Sequence, residues 1–208
     1  VQVYYYPDSK AFKVFGLGLS RTGTTSLNRA LQLLDLRVYH WRFPLSGNLL
    51  MLEDAYLCDG ITDINAAFMM EPLFHMFPNA RFVYTTRPVD QWVAAVSHHY
   101  NAASPKQLAQ RLSWDAVTPS PVVYGGERNC LLYHAIHHGL YTGHDSWEDA
   151  YRNHEERVRR CFSGAEERLL VLDLFDGEAS WEALCHFLGK QAPLDTPFPH
   201  ETWRRADS

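Results

Sequence analysis

The clearest pattern in the chain is an apolar run, residues 12–19, followed by small and hydroxylated residues and then by leucines at helical spacing. The run reads as a buried strand. Leu27, Leu31 and Leu34 share one face of the helix that follows. A second short strand is expected over residues 36–40. Residues 45–57 read as helical, loosened near Ser46-Gly47-Asn48. Residues 59–63 form a third strand ending on a carboxylate, and Asn65 is expected to cap a helix over residues 66–77, closed by Pro78-Asn79. Residues 81–86 alternate apolar and polar side chains as a strand does, and Pro88 suits the start of a helix over residues 89–100.

Further along, Pro119-Ser-Pro121 and Gly125-Gly126 punctuate a stretch with little pattern. A helix is expected over residues 127–140, with Leu131, Ala135 and His138 at helical spacing. Ser146 caps a charged amphipathic helix that runs to residue 162. Residues 167–173 are a last strand, Ser180 caps a helix over 181–188, and Gly189 ends it. The tail, residues 193–208, has three prolines and should wrap the surface. Strands alternating with helices predict one α/β domain over residues 1–208, a three-layer fold with a central parallel sheet flanked by helices. Such sheets bind ligands beyond the carboxyl ends of their strands. Ser20 to Thr25, Asp63 and Arg87 all fall at such ends, so they can face one cleft.

The segment from Gly16 to Ser26 carries the most specific chemistry. A strand, a glycine turn and a helix N-terminus together cradle phosphate-like anions, because backbone N–H groups and the helix dipole point at the ligand. Against the pattern G-x-x-x-x-G-K-[ST], Gly18 and Gly23 take the glycine positions and Thr25 the hydroxyl position, but Thr24 replaces the lysine. That lysine reaches the β- and γ-phosphates of a nucleoside triphosphate, so this loop should take a phosphate-like group that is not a triphosphate. A dinucleotide fingerprint fares worse: Gly16 and Gly18 supply two glycines and Arg21 stands where the third belongs. A plain turn would need fewer hydroxyls than Ser20, Thr22, Thr24, Thr25 and Ser26 supply.

Arg21-Thr-Gly-Thr-Thr25 resembles the 5′-phosphosulfate loop of the sulfotransferase family, roughly [KR]-[ST]-G-T-[TS]. The resemblance implies a P-loop-like fold and the donor 3′-phosphoadenosine 5′-phosphosulfate (PAPS), held by Ser20, Arg21, Thr22, Gly23, Thr24, Thr25 and Ser26. In this reading Arg21 also stabilises charge as sulfur leaves phosphate. Residues 77–92 look like the family's second signature, a strand ending on an arginine and a helix carrying a tryptophan. The resemblance gives Arg87 the 3′-phosphate, a role that suits a guanidinium. Relatives often place a serine eight positions after that arginine; here the position is Ala95, and Ser97, two further on, is the candidate. Residues 168–200 look like the C-terminal signature of a bacterial-type branch. The likeness covers roughly residues 12–100 and 146–200, while 101–145, where the family often builds its acceptor pocket, matches nothing specific.

The family draws its acceptor-activating base from the end of the second or third strand. Asp63 is the first choice here and His40 the second; a helix cap and a core histidine are their bland alternatives. Eleven histidines invite a metal, but neither His98-His99 nor His134, His137 and His138 follow a ligand motif, so no metal is expected. Trp41, Phe43, Phe68, Met69, Met70, Trp114 and Tyr133 could line an apolar acceptor pocket or simply fill the core.

Composition narrows the classes further. A chain of 208 residues with 46% hydrophobic residues can bury one sizeable core. A net charge of −5 argues against a nucleic-acid partner. The four cysteines, Cys58, Cys130, Cys161 and Cys185, are widely spaced and read as free thiols. No apolar run is long enough to span a membrane, and the start lacks the layout of a signal peptide. A cytoplasmic enzyme is expected, with a trimmed targeting segment left open because the chain starts without methionine. The expected reaction is sulfuryl transfer from PAPS to a hydroxyl or amine of a small-molecule or glycan acceptor, giving 3′,5′-ADP. A nucleotide kinase and a non-catalytic nucleotide-binding protein of the same fold stay open as alternatives, as does the oligomeric state.

Overall fold

A computed structural model describes residues 12–112, 127–175 and 181–201. Five strands form one sheet: β1 (Val14–Gly16), β2 (Val38–His40), β3 (Gly60–Thr62), β4 (Arg81–Thr86) and β5 (Leu169–Asp173). Their order is β2-β3-β1-β4-β5, and every pairing is parallel. The helices are α1 (Thr24–Leu33), α2 (Ile64–Phe68), α3 (Met70–Met76), α4 (Val89–Tyr100), α5 (Pro105–Arg111), α6 (Glu127–His137), α7 (Trp147–Cys161) and α8 (Trp181–Leu188). This is the expected α/β sheet flanked by helices, the P-loop-like arrangement.

Alternation along the strands builds the two faces. Val14, Val38, Val83 and Leu172 point to one side, where Leu27, Leu31 and Leu34 from α1 and Leu184 and Leu188 from α8 cover them. Phe15, Ile61, Phe82 and Tyr84 point to the other, under Leu73 of α3 and Val158 and Phe162 of α7 and its end. A third cluster, centred on the fully buried Trp92 with Leu19, Tyr141, Trp147 and Tyr151, fills the space above the carboxyl ends of the strands. That cluster supports the loops in which the candidate residues lie.

Three local expectations change. Residues 45–57 are not one helix: Arg42 and Leu49 form an antiparallel bridge, Leu49 and Leu50 are both buried, and only Leu52–Tyr56 winds, as a 3₁₀ turn. Asn129 accounts for this, since its Oδ1 accepts from the Leu49 N–H at 3.1 Å and holds the segment extended. Asn65 does not cap its helix. It lies inside the first turn of α2, fully buried, and its Nδ2 donates to the carbonyls of Leu50 (2.9 Å) and Trp41 (3.2 Å); Asp63 precedes the helix instead, and the helix divides at Met69. In α6 the face of Leu131, Ala135 and His138 is the exposed one. Cys130, Ile136 and His137 turn inward, and the helix ends in a wide π turn, His138–Thr142, that buries both Leu140 and Tyr141.

The other expected elements are present, and α5 is added over residues to which the pattern gave no element. Ser146 caps α7, its Oγ accepting from Asp149 N–H at 3.0 Å. Gly189 ends α8 with φ 65°. Trp114 and Ser180 lie outside the described residues. Cys58, Cys130 and Cys185 are buried free thiols, and Cys161 is half-buried. The tail through residue 201 has no regular structure and runs over the surface, with Phe198 against Trp181. Among the described residues no helix is long and apolar enough to cross a membrane.

Candidate active site

All five strands deliver a residue to one rim. β1 runs into the glycine loop, β2 ends on His40, β3 leads into Asp63, β4 into Arg87, and β5 into Leu174 and Phe175. Because β1 is central, strand order puts His40 and Asp63 on one side of the loop and Arg87 and Phe175 on the other. Two cavities result, sharing Arg21, Thr24 and Thr25 as a common wall. One, of about 320 Å³, is lined by His40, Trp41, Asp63, Ile64, Tyr100 and His137 among others. The other, of about 140 Å³, is lined by Gly23, Ser26, Arg87, Phe175 and the tail residues His200 and Glu201.

The loop is shaped by contacts that only particular residues allow. A Cβ on Gly18 would lie 1.9 Å from Thr85 Oγ1, so the strand end can pass β4 only without a side chain. Gly23 has φ 92° and stands at the N-terminus of α1. No side chain caps that helix and its first turn holds no acidic residue, so the N–H groups there are left for a ligand. Ser20 is held on all three polar atoms by aromatic residues. Its N–H donates to Tyr141 Oη (2.9 Å), its carbonyl accepts from Trp92 Nε1 (2.8 Å), and its Oγ lies 3.0 Å from Tyr100 Oη.

Thr22, expected among the donor contacts, turns its side chain away from the rim. It is fully buried, and its hydroxyl donates to the Leu19 carbonyl at 2.8 Å and lies 2.9 Å from Thr85 Oγ1, so it braces the turn from behind. Ser97 sits in α4 and lines neither cavity. Thr24, Thr25 and Ser26 do face the rim; Ser26 Oγ accepts from the Glu201 N–H at 2.9 Å and keeps its own proton to donate.

On the smaller cavity, the Arg87 guanidinium lies 4.1 Å from the centre of the Phe175 ring, and Nη1 donates to the Arg21 carbonyl at 3.4 Å. Tyr151 Oη holds the Arg87 backbone, donating to its carbonyl at 2.8 Å and accepting from its N–H at 3.2 Å. Arg87 Nε is buried without a partner. Burial, and then the like charge of Arg21, press the guanidinium below its ordinary pKa. Among the described residues no ion pair holds either arginine. Two cations set side by side, with a buried donor unmet, suit an anionic ligand.

On the larger cavity, His40 Nε2 lies 3.3 Å from Asp63 Oδ2 and 3.3 Å from Thr25 Oγ1. His40 Nδ1 is 3.0 Å from Thr62 Oγ1, which also lies 3.1 Å from Asn28 Oδ1. Nε2 is the ring atom presented to the cavity, between Asp63 and Thr25. Thr24 Oγ1 donates to Asp63 Oδ1 at 3.4 Å. Arg21, Trp41 and Asp63 all have positive φ, 71°, 61° and 88°. For Asp63, with ψ −178°, this is a region nearly reserved for glycine, and such backbone costs about 1–3 kcal/mol. Three strained residues around one cavity mark it as a built site.

The chain matches the family model described as "Sulfotransferase domain" over residues 13–54 and 51–206, nearly all of its length. It belongs to the sulfotransferase family. It is also similar to Ava biosynthesis cluster protein M of Aspergillus versicolor, 27% identical over an alignment covering 90% of this chain and 80% of that protein. The glycine loop and the strand ends around both cavities lie within the matched residues.

No motif singles out Tyr100, Tyr141 or Phe175. A signal for part of this set was present: Tyr133, His137 and Tyr141 recur every fourth residue and share one helix face. His137 was weighed only as a metal ligand. Among the described residues no three His, Cys, Asp or Glu side chains gather as metal ligands. Of the proposed apolar lining, Trp41 and Tyr133 face the larger cavity, whereas Phe43, Met69 and Met70 pack in the core beneath α3.

Proposed function

We propose that this sulfotransferase moves a sulfuryl group from PAPS to a hydroxyl or amine of a small acceptor. The observation that carries the reading is the pairing of Arg21 with Arg87. Both line the smaller cavity, no ion pair among the described residues holds either side chain, Arg87 Nε is orphaned, and the uncapped start of α1 adjoins them. One anion cluster suits the loop and a separate phosphate suits Arg87, as a 3′,5′-bisphosphorylated nucleotide requires. The Phe175 face fixes the plane of the guanidinium.

In this reading the N–H groups of Gly23 to Ser26 and the hydroxyls of Thr24, Thr25 and Ser26 hold the 5′ group. When bound, the donor supplies a sulfuryl group activated by its link to phosphate. Arg21, on the wall common to both cavities, offers positive charge where the leaving oxygen develops negative charge. The His40–Asp63 pair takes the acceptor proton through His40 Nε2 or the carboxylate beside it. The acceptor oxygen or nitrogen bonds to sulfur, the sulfur–oxygen bond to the 5′-phosphate breaks, and 3′,5′-ADP is left.

A kinase reading is disfavoured by Thr24. The lysine that would reach the β- and γ-phosphates is replaced there by a hydroxyl that donates to Asp63. The deciding experiment is a thermal-shift titration. 3′,5′-ADP should raise Tm without Mg²⁺, as a ligand bound only by the native state must, and ATP with Mg²⁺ should do much less at equal concentration. Preferential, Mg²⁺-dependent stabilisation by ATP would overturn the reading.

A further inference from the structure

The larger cavity also carries information about the acceptor. Each acid–base residue is followed in the chain by a lining residue, His40 by Trp41 and Asp63 by Ile64, so the apolar wall begins where the proton is taken. Trp41 meets Tyr133 edge-on, with ring centres 5.9 Å apart at 74°, and meets His137 at 6.1 Å and 86°. Tyr133 and His137 are stacked, 3.9 Å apart at 25°. The three rings make one continuous wall.

Both nitrogens of His137 in that wall are already paired. His137 Nδ1 lies 2.8 Å from the Tyr133 carbonyl, so it carries the proton and donates. His137 Nε2 is then an acceptor, and Tyr100 Oη donates to it at 3.2 Å. The Tyr100 oxygen in turn accepts from Ser20 Oγ at 3.0 Å. Burial holds His137 neutral, with its pKa pushed down to about 4, in keeping with this pattern. An acceptor hydroxyl set against His137 would have to break these bonds or go unmet there. The lining has no lysine, no arginine besides Arg21, and one carboxylate, Asp63, so it offers little to a polyanionic chain. A volume of about 320 Å³ is at the small end of ligand pockets, which run from about 300 to 1,000 Å³.

We infer that the acceptor is an uncharged aromatic alcohol of one or two rings, its ring against Trp41 and Tyr133 and its hydroxyl at the His40–Asp63 pair, and not a glycan. The inference rests on the sulfotransferase reading of the same site, and it narrows the acceptor side only. An aromatic ring gains edge-on or stacked contact with Trp41 and Tyr133 beyond the area it buries.

The test is calorimetric binding of 2-naphthol and of chitotetraose, each with and without saturating 3′,5′-ADP. 2-Naphthol should bind and chitotetraose should not. Trp41→Ala and Tyr133→Ala should each weaken 2-naphthol about tenfold or more and leave 3′,5′-ADP affinity within about twofold, a tenfold change being 1.4 kcal/mol. Trp41→Phe, which keeps a ring, should restore most of the loss and guards against a simple folding defect. Intact 3′,5′-ADP binding with no 2-naphthol binding, or with chitotetraose preferred, would overturn the acceptor assignment and leave the donor reading standing. Loss of 3′,5′-ADP binding in the wild type would overturn the donor reading, while the nucleotide-free naphthol titration would still judge the aromatic wall.

Discussion

His40 Nε2 and Asp63 Oδ2 stand 3.3 Å apart, at the ends of neighbouring strands. From the sequence the two were alternatives for one role; in the fold they are one unit. Each needs the other's position. His40 is aimed by the Thr62–Asn28 relay, and Asp63 is aimed by its own strained backbone.

A shared role predicts non-additive losses. Asp63→Asn and His40→Ala should each lower kcat about 10²–10⁴-fold, the usual range for removing a general base. The double variant should be little worse than the poorer single one, as expected of residues acting together. Donor affinity should be nearly unchanged in all three. Wild-type turnover in Asp63→Asn alongside collapse in His40→Ala would assign the proton to His40 alone.

Arg87→Ala should remove charge-assisted bonds worth about 1.5–3 kcal/mol, lowering 3′,5′-ADP affinity roughly ten- to a hundredfold. Affinity for 5′-AMP should hardly change. Arg87→Lys should rescue poorly, because an ammonium can neither spread over the Phe175 ring nor present a fork of donors. Equal losses for 3′,5′-ADP and 5′-AMP would show that Arg87 does not recognise the 3′-phosphate.

Gly23→Ala adds two separate faults. Its φ of 92° disfavours any side chain, and the new Cβ would lie 2.4 Å from Leu174 Cδ1. The backbone part alone costs about 1–2 kcal/mol, or about 2–8 °C in Tm for a chain of this size. Adding Leu174→Ala should relieve the clash without restoring the 3′,5′-ADP response, since the loop still cannot keep its shape. Differential scanning calorimetry with and without nucleotide separates the two faults.

Stability should fall on mild acidification. His137 and His154 are buried, and burial pushes each from an ordinary 6.5 down to about 4. Between those values the unfolded chain takes up the protons and the native one does not, so stability rises with pH across that window. It is fully present above about 6.5 and has been lost by about 4, on the order of 3 kcal/mol for each histidine. His154 Nε2 donates to the Leu17 carbonyl at 2.8 Å, a bond that glutamine could imitate. His154→Gln should therefore flatten the urea-denaturation stability between pH 6.5 and pH 4.5. An unchanged slope would show that His154 is protonated in the native state.

How much was legible from sequence depended on whether the cause was local. The glycine loop, α1 and its leucine face, β4 and the Ser146 cap all follow from neighbouring residues, and all appear as expected. The segment 45–57 did not, because Asn129, eighty positions away, supplies the bond that keeps Leu49 extended. Asn65 was misplaced for a similar reason: its side chain answers to the carbonyls of Trp41 and Leu50, not to its own helix. Thr22 looked like a ligand residue in the motif, yet Thr85 on the adjoining strand draws its hydroxyl inward.

By itself the sequence determined the glycine loop, its lack of the Walker lysine, and the presence of Asp63, His40 and Arg87 at strand ends, because strand periodicity and turn chemistry act over a few residues. The tertiary structure alone decided which of these meet. Strand order is a choice among packings that no local pattern encodes, and the order β2-β3-β1-β4-β5 sends His40 and Asp63 to one side of the loop and Arg87 to the other. The same choice set Tyr100, Tyr141 and Trp92 around Ser20, turning three core aromatics into the clamp that holds the loop.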